Sequence, residues 1–365
     1  MYNPNHLAIY IHWPFCKSKC PYCDFYKQVN PRLNQDELID EYLEALQRYH
    51  DLTNKRTVQS IFFGGGTPSL MTPQNVAKII DFITQKWHIA DDIEISLEAN
   101  PNSHYTTMFA DFKNAGINRL SLGIQALNDD DLRFLGRTHN LATARHCLEE
   151  IVTTFANHSA DLIYARPKQK IDAWLQELTE ICNYGLHHIS LYQLTIEENT
   201  IFAKRGVKPL ADEQAIAMYQ QTRQFLQQYG YHQYEVSNFA QNGYESRHNL
   251  TYWQGGDYLG IGASAHGRLN LNGQLIATEY PFKHTVLTPK ERAEELIIMG
   301  LRLIQGLNKQ DFTDICGLSL HNFINQSNLE NLKQLNLIEE DEFYLRPTTD
   351  GLLVLNEIIT QLCCF

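Results

Sequence analysis

Six short apolar runs, at 7–11, 60–63, 93–97, 119–122, 161–163 and 188–191, alternate with amphipathic stretches along the first 192 residues. Runs this short and this continuous read as strands covered on both faces. Between the first two, Leu38, Ile39, Tyr42, Leu43, Leu46 and Tyr49 fall on one helix face. Asn34 stands at the cap position of that helix and Glu37 three residues later. Thr72 and Pro73 open a second helix carrying Val76, Ile79, Ile80 and Ile83. A βα unit repeated six times predicts a parallel α/β sheet. It is expected either as a doubly wound open sheet or as a partial (β/α)6 barrel. A barrel of six units rather than eight would leave a lateral opening.

The pattern changes after about residue 205. A helix is predicted over 212–229, then short strands and loops over 231–273, rich in Tyr, Asn, Gly and His. Thr288, Pro289 and Glu291 open another helix, reaching about residue 303. The remainder, with two more helices, a hairpin near 340–345 and a last helix, predicts a small C-terminal winged-helix-like α+β domain. The expected organisation is a β/α core over 1–205, an extension over 206–287 and the small domain over 288–365.

The formal net charge is −12. No basic stripe accompanies the winged-helix-like shape, so nucleic acid is not an expected partner and a packing or protein-contact role is. The polar start of the chain shows no signal peptide. No apolar run reaches the roughly 18 residues of a spanning helix. The expected location is cytoplasmic, with no transmembrane segment.

Three of the eight cysteines crowd into Cys16-Lys17-Ser18-Lys19-Cys20-Pro21-Tyr22-Cys23, directly after the first strand. Three thiolates at C-x3-C-x2-C spacing bind three irons of one cuboidal cluster and leave the fourth iron without a protein ligand. An open position is what a reactive metal site needs and a structural site avoids. The alternative is zinc, for which His12 would complete a Cys3His set. Lys17 and Lys19 mark the loop as accessible. Cys147, Cys182 and Cys316 read as core thiols. Cys363 and Cys364 receive no role.

Polar residues recur at the ends of the predicted strands, where β/α folds build sites. Gly64-Gly65-Gly66-Thr67 follows the second, Glu98 ends the third, Gln125 follows the fourth and Asp161 begins the fifth. Arg137 lies in Leu135-Gly136-Arg137-Thr138. Acids and amides suit a ribose, and an arginine pairs with a carboxylate.

The cysteine motif in this setting resembles the radical SAM superfamily. The resemblance implies a [4Fe–4S] cluster on Cys16, Cys20 and Cys23, with S-adenosylmethionine (SAM) on the open iron. It implies a SAM site lined by Tyr10, Tyr22, Gly65, Gly66, Thr67, Glu98, Gln125, Arg137 and Asp161, with Tyr22 near the adenine. The segments Ile61-Phe62-Phe63-Gly64-Gly65-Gly66-Thr67-Pro68, Arg119-Leu120-Ser121-Leu122-Gly123-Ile124-Gln125 and Tyr234-Glu235-Val236-Ser237-Asn238 are similar to the coproporphyrinogen-III-oxidase-like group. Within that group the oxygen-independent coproporphyrinogen III dehydrogenase carries a further cysteine two residues after the third and an N-terminal extension. Here that position is Phe25, and fifteen residues precede Cys16. The resemblance is therefore to the heme-chaperone (HemW-type) branch, which also carries an H-N-x-x-Y-W motif.

That motif stands as His248-Asn249-Leu250-Thr251-Tyr252-Trp253. A neutral imidazole is an axial ligand for heme iron and aromatic rings pack on a porphyrin face. The resemblance assigns a heme contact to His248, Tyr252 and Trp253; without it, the motif reads as an ordinary histidine beside core aromatics. It implies a heme-accepting partner, and an electron donor if SAM is cleaved. No residue is assigned a catalytic role. One departure stands out. Where the related pattern reads G-L-P-G-Q-T after the fifth strand, this chain reads Ala165-Arg166-Pro167-Lys168-Gln169-Lys170. Alanine restricts a backbone of positive φ, and Arg166 is expected to place a cation near the cavity mouth.

Overall fold

The computed structural model describes residues 2–30, 34–101 and 108–363; Cys364 lies outside them. Each predicted run is part of a longer strand: β1 (His6–Trp13), β2 (Thr57–Gly65), β3 (His88–Ala99), β4 (Arg119–Gln125), β5 (Asn157–Tyr164) and β6 (His188–Gln193). They lie side by side in chain order, every neighbouring pair parallel. The crossovers carry α1 (Gln35–Thr53), α2 (Pro73–Lys86), α3 (Met108–Asn114), α4 (Asp129–Phe134), α5 (Leu141–Thr154) and α6 (Ile171–Asn183). This is the partial β/α barrel, rather than the doubly wound alternative.

Strand periodicity sorts the two faces. Leu7, Ile9, Ile11 and Trp13 of β1 join the apolar core, with Ile39, Tyr42, Leu46 and Tyr49 of α1 among the residues there. The other face of the sheet is polar, with Ser60, Glu94, Ser96, Arg119, Ser159 and His188 all buried on it. Thr72 caps α2 as expected, its side chain accepting from the Asn75 amide. Asn34 occupies the cap position of α1, but its side chain makes no capping bond. Acidic Asp36 and Glu37 in the first turn face the positive helix end instead.

α7 (Ile201–Lys204) follows β6, and the segment after 205 contributes α8 (Asp212–Gln228), β7 (His232–Gln233), β8 (Asn238–Ala240), α9 (Arg247–Trp253), β9 (Tyr258–Ile261), β10 (His266–Leu271), β11 (Gln274–Glu279) and β12 (Lys283–Val286). Its strands extend both edges of the barrel sheet. The described residues give one 12-stranded sheet in the order β12-β11-β10-β9-β1-β2-β3-β4-β5-β6-β8-β7. β9 is parallel to β1, whereas β8 runs antiparallel to β6.

The C-terminal domain holds α10 (Pro289–Gly300), β13 (Leu307–Asn308), α11 (Lys309–Cys316), α12 (Gln326–Gln334), β14 (Ile338–Glu340), β15 (Tyr344–Pro347) and α13 (Leu355–Cys363). Its antiparallel sheet has the order β13-β15-β14, and helices around three short strands give the winged-helix-like form. Thr288 and Glu291 make the expected capping box. α10 ends at Gly300, short of 303, because the chain beyond it turns to pair with the 234–235 segment: Leu303 bridges Glu235 and the Ile304 amide donates to the Tyr234 carbonyl at 3.0 Å. Leu296, Ile297, Phe312, Leu329, Ile358 and Leu362 form a separate core there. Among the described residues, no helix is long and apolar enough to cross a membrane.

Candidate functional site

The cysteine loop leaves the end of β1 and returns on itself. Its neck is closed by the Gln28 amide donating to the Pro14 carbonyl (2.7 Å) and the Cys16 amide donating to the Gln28 carbonyl (2.9 Å). Lys27 Nζ donates to the Cys23 carbonyl at 2.6 Å, drawing the third cysteine back toward the neck. The loop rests on the exit of β2, where the Gly66 amide reaches the Trp13 carbonyl (2.7 Å) and the Thr67 amide reaches the Phe15 carbonyl (2.9 Å). A side chain at Gly66 would put its Cβ 2.8 Å from the Phe15 oxygen and 3.0 Å from Cys16 Sγ. Glycine is required there by close approach. Gly136, at φ 67°, carries the same demand on the other flank, because a Cβ would come within 2.5 Å of Pro21 Cδ.

Cys16, Cys20 and Cys23 are half-buried and line one cavity of about 380 Å³. Tyr22, Gly65, Gly66, Thr67, Glu98, Gln125, Arg137 and Asp161 line the same cavity. The structure therefore brings together residues from the cysteine loop, from the carboxyl ends of β2, β3 and β4, and from the middle of β5. Arg137 ties these parts. Its Nη2 donates to Asn100 Oδ1 and, at 2.9 Å, to the Gly123 carbonyl; its Nη1 reaches Tyr22 OH at 3.4 Å and Cys20 Sγ at 3.7 Å. Thr67 Oγ1 donates to Cys16 Sγ at 3.5 Å and accepts from Asn100 Nδ2 at 3.1 Å. Two of the three thiols thus have a donor directed at sulfur. Among the described residues, no three His, Cys, Asp or Glu side chains converge on a single-ion position. His12, the expected fourth ligand for zinc, is buried on β1 and bonded through Nδ1 to Tyr10 OH at 3.1 Å.

The cavity floor is acidic. Asp161 lies in the middle of β5 rather than at its start, and accepts from Ser121 Oγ at 2.9 Å. Glu98 accepts from the Gly65 amide at 3.2 Å. Burial, and then the charge of Asp161, push the Glu98 carboxyl up to about 8. Burial also raises Asp161. A carboxyl that holds its proton more tightly folded than unfolded contributes its full stability below its unfolded value near 4.5, and loses it as pH rises through about 8. The melting temperature of the ligand-free protein should therefore fall across that window. Glu98→Gln should flatten the fall, and an unchanged slope in that variant would remove Glu98 as its source.

Four predicted residues lie elsewhere. Tyr10 is within the barrel, its ring stacked 5.8 Å from that of His248 and 6.2 Å from that of Phe62. His248, on α9, is 5% exposed and stacks on Phe62 at 4.9 Å. Burial, followed by the charge of Arg119, pushes its imidazole down to about 3, so it is neutral. Tyr252 and Trp253 pack together at 4.7 Å, with the Arg302 guanidinium over the indole at 5.8 Å. Arg166 is also not at the mouth. It is 1% exposed and paired with Glu177 and Asp131 inside the fold. Its long side chain folds inward because those two carboxylates are there to receive it. Asn100, Gly123, Tyr192 and Gln193 line the cavity and were not singled out. Asn100 was legible, two residues after Glu98. Tyr192 and Gln193 were missed because β6 runs two residues past the expected end.

A profile of the radical SAM superfamily matches residues 10–189, and one of the HemN C-terminal domain matches residues 287–354. The chain is 37% identical over 372 residues to heme chaperone HemW of Haemophilus influenzae, covering 97% of each chain. It is 37% identical over 383 residues to the mitochondrial radical S-adenosyl methionine domain-containing protein 1 of Bos taurus, covering 97% of this chain and 87% of that one. The solved structure of coproporphyrinogen III oxidase (HemN) from Escherichia coli superposes with a TM-score of 0.80 at 21% identity, over 97% of this chain and 89% of the other, a likeness of fold. The cysteine loop, the strand-end cavity and the full-length identity to these relatives agree: the chain belongs to the HemW-type branch of the radical SAM superfamily.

Proposed function

We propose that the protein is a heme chaperone: it carries a [4Fe–4S] cluster on Cys16, Cys20 and Cys23, seats SAM in the adjoining cavity, and passes heme to an acceptor protein. The observation that carries the reading is the convergence of the three thiols and residues of five neighbouring strands, β2 to β6, on one cavity. The name of the Haemophilus influenzae relative supports the chaperone part. When bound, the cluster supplies an iron free of protein ligands for the amino and carboxylate groups of SAM.

The residues present fit these groups. Three half-buried thiols line one cavity, and Gly66 keeps the space beside Cys16 clear. Glu98, Asp161 and Gln125 offer acceptors for ribose hydroxyls. Arg137 fixes Tyr22 at the cavity wall and sets a cation beside Cys20. Phe25, 68% exposed on the rim, occupies the position where the dehydrogenase pattern has its additional cysteine. That substitution favours heme transfer over porphyrinogen decarboxylation.

For heme, the proposed iron ligand is His248. Its neutral ring is the ligating form, but it is stacked inside the barrel. Ligation therefore requires α9 to leave its seat. That seat is made by Glu94, which accepts from the Arg247 amide at 3.3 Å and from the His248 amide and Ser246 Oγ at 3.4 Å.

The test is anaerobic reconstitution with iron and sulfide, followed by addition of SAM and then heme, with a spectrum at each step. A cluster band perturbed by SAM and a heme band lost in both His248→Ala and His248→Phe are expected. The phenylalanine variant keeps the ring stack but has no nitrogen ligand, so a heme band surviving in it would remove His248 from the site. Decarboxylation of coproporphyrinogen III under reducing, oxygen-free conditions would replace the chaperone reading with the enzymatic one.

A further inference from the structure

The exits of β4 and β5 adjoin each other at the cavity, and both end in left-handed backbone: φ is 72° at Gln125 and 56° at Ala165. Residues with a side chain disfavour this conformation and keep it only where their surroundings hold it. The β4–β5 register also shifts between Gly123 and Gln125. An irregularity of this kind re-aims a side chain beside a site. Gln125 reaches the cavity through that combination.

One guanidinium holds both exits. Arg166 Nη1 donates to the Ile163 carbonyl at 2.9 Å and to the Gln125 carbonyl at 3.3 Å. Its Nη2 pairs with Glu177 of α6 and, at 3.1 Å, with Asp131 of α4. The second oxygen of Glu177 accepts from the Leu127 amide at 2.9 Å. The strand exit is thus gripped twice within three residues, at a carbonyl by Arg166 and at an amide by Glu177. A planar fork that serves two carbonyls and two carboxylates at once is a geometry lysine does not supply, and leucine supplies none of it. Arg166 does not itself line the cavity.

We propose that Arg166 is a positioning residue of the SAM site, acting through Gln125. This inference rests on the reading of the cavity given above. The departure at 165–168 then supports the site from behind rather than placing a cation at its mouth. Its arginine supplies the restraint that a left-handed alanine and a left-handed glutamine need.

The experiment is a double-mutant cycle on the reconstituted full-length protein, reading the SAM dissociation constant by calorimetry with iron content measured in parallel. Because Arg166→Leu alone strands a buried carboxylate, the cycle uses Glu177→Gln as its reference. Adding Arg166→Leu to that reference should weaken SAM binding by roughly 2- to 30-fold with iron content unchanged. In a Gln125→Ala background the same addition should have no further effect. SAM binding equal with and without Arg166→Leu would overturn the proposal, as would an equal loss in the two Gln125 backgrounds. Unmutated protein that holds its cluster and binds no SAM would instead overturn the reading of the cavity itself.

Discussion

Serine in place of any one of Cys16, Cys20 or Cys23 will abolish the cluster, taking reconstituted iron from about four atoms per chain to background. Each sulfur is one of only three protein ligands in the proposed set. The loop that carries them has no strand or helix of its own to keep the remaining two in place. It depends on the neck at Gln28, the Lys27 tether and the backing of Gly66. Serine preserves volume and hydrogen bonding, so the fold should persist: the three thiols lie on the cavity wall rather than in the apolar core. SAM affinity should fall with the iron, because its amino and carboxylate groups lose their anchor. Heme binding should survive if His248 is the ligand, while transfer to an acceptor should not. Iron analysis, the cluster absorption band and SAM calorimetry on the same three variants check this. Retention of full iron in all of them would remove the cluster assignment, and about one zinc per chain in the native protein would restore the alternative set.

Arg119→Met should cost about 3–5 kcal/mol of stability while leaving the cysteine loop intact. Arg119 and Glu94 are buried on the inner face of the barrel with Nε and Oε2 at 3.9 Å. Removing the guanidinium leaves the Glu94 carboxylate enclosed without its counter-charge. The same carboxylate receives the first amides of α9, so the seat of His248 should loosen together with the barrel. Arg119→Met combined with Glu94→Gln should recover most of the loss, because it removes both charges from the interior. Chemical denaturation of the three proteins measures the difference. A single-variant cost below about 1 kcal/mol would show that the pair behaves as a solvated one.

The sequence was most legible where chemistry and strand period coincide. The thiols, Gly66, Glu98 and Gln125 fall at successive strand exits with Asp161 of β5 beside them, and β/α topology gathers such exits at one end. Depth within the barrel was not legible. Tyr10 shares a strand face with His12 and points inward as expected, but it lies beneath the cavity, and alternation gives a face without a height. His248 depended on a contact with Glu94, 154 residues away in sequence, which no local pattern records. Arg166 was misplaced for a similar reason: a cation after a strand reads as a surface group until Glu177 and Asp131 are seen beside it. Asn34 shows the converse. Its position was right, but the capping bond depends on a side-chain orientation that composition does not set.

The strand order has a consequence for how the chain is made. β1 is made before the other strands of the sheet, yet one of its two edges stays unpaired until β9 is made, roughly 250 residues and some 12–50 s later at ordinary rates of synthesis. Throughout that interval a strand with a bare hydrogen-bonding edge stands beside the reactive thiols, a template for wrong pairing. Nascent chains stalled before Tyr258 should therefore aggregate through β1, and those released after Ile261 should not. Iron loading is best timed after that closure, when the first strand of the barrel has both of its neighbours.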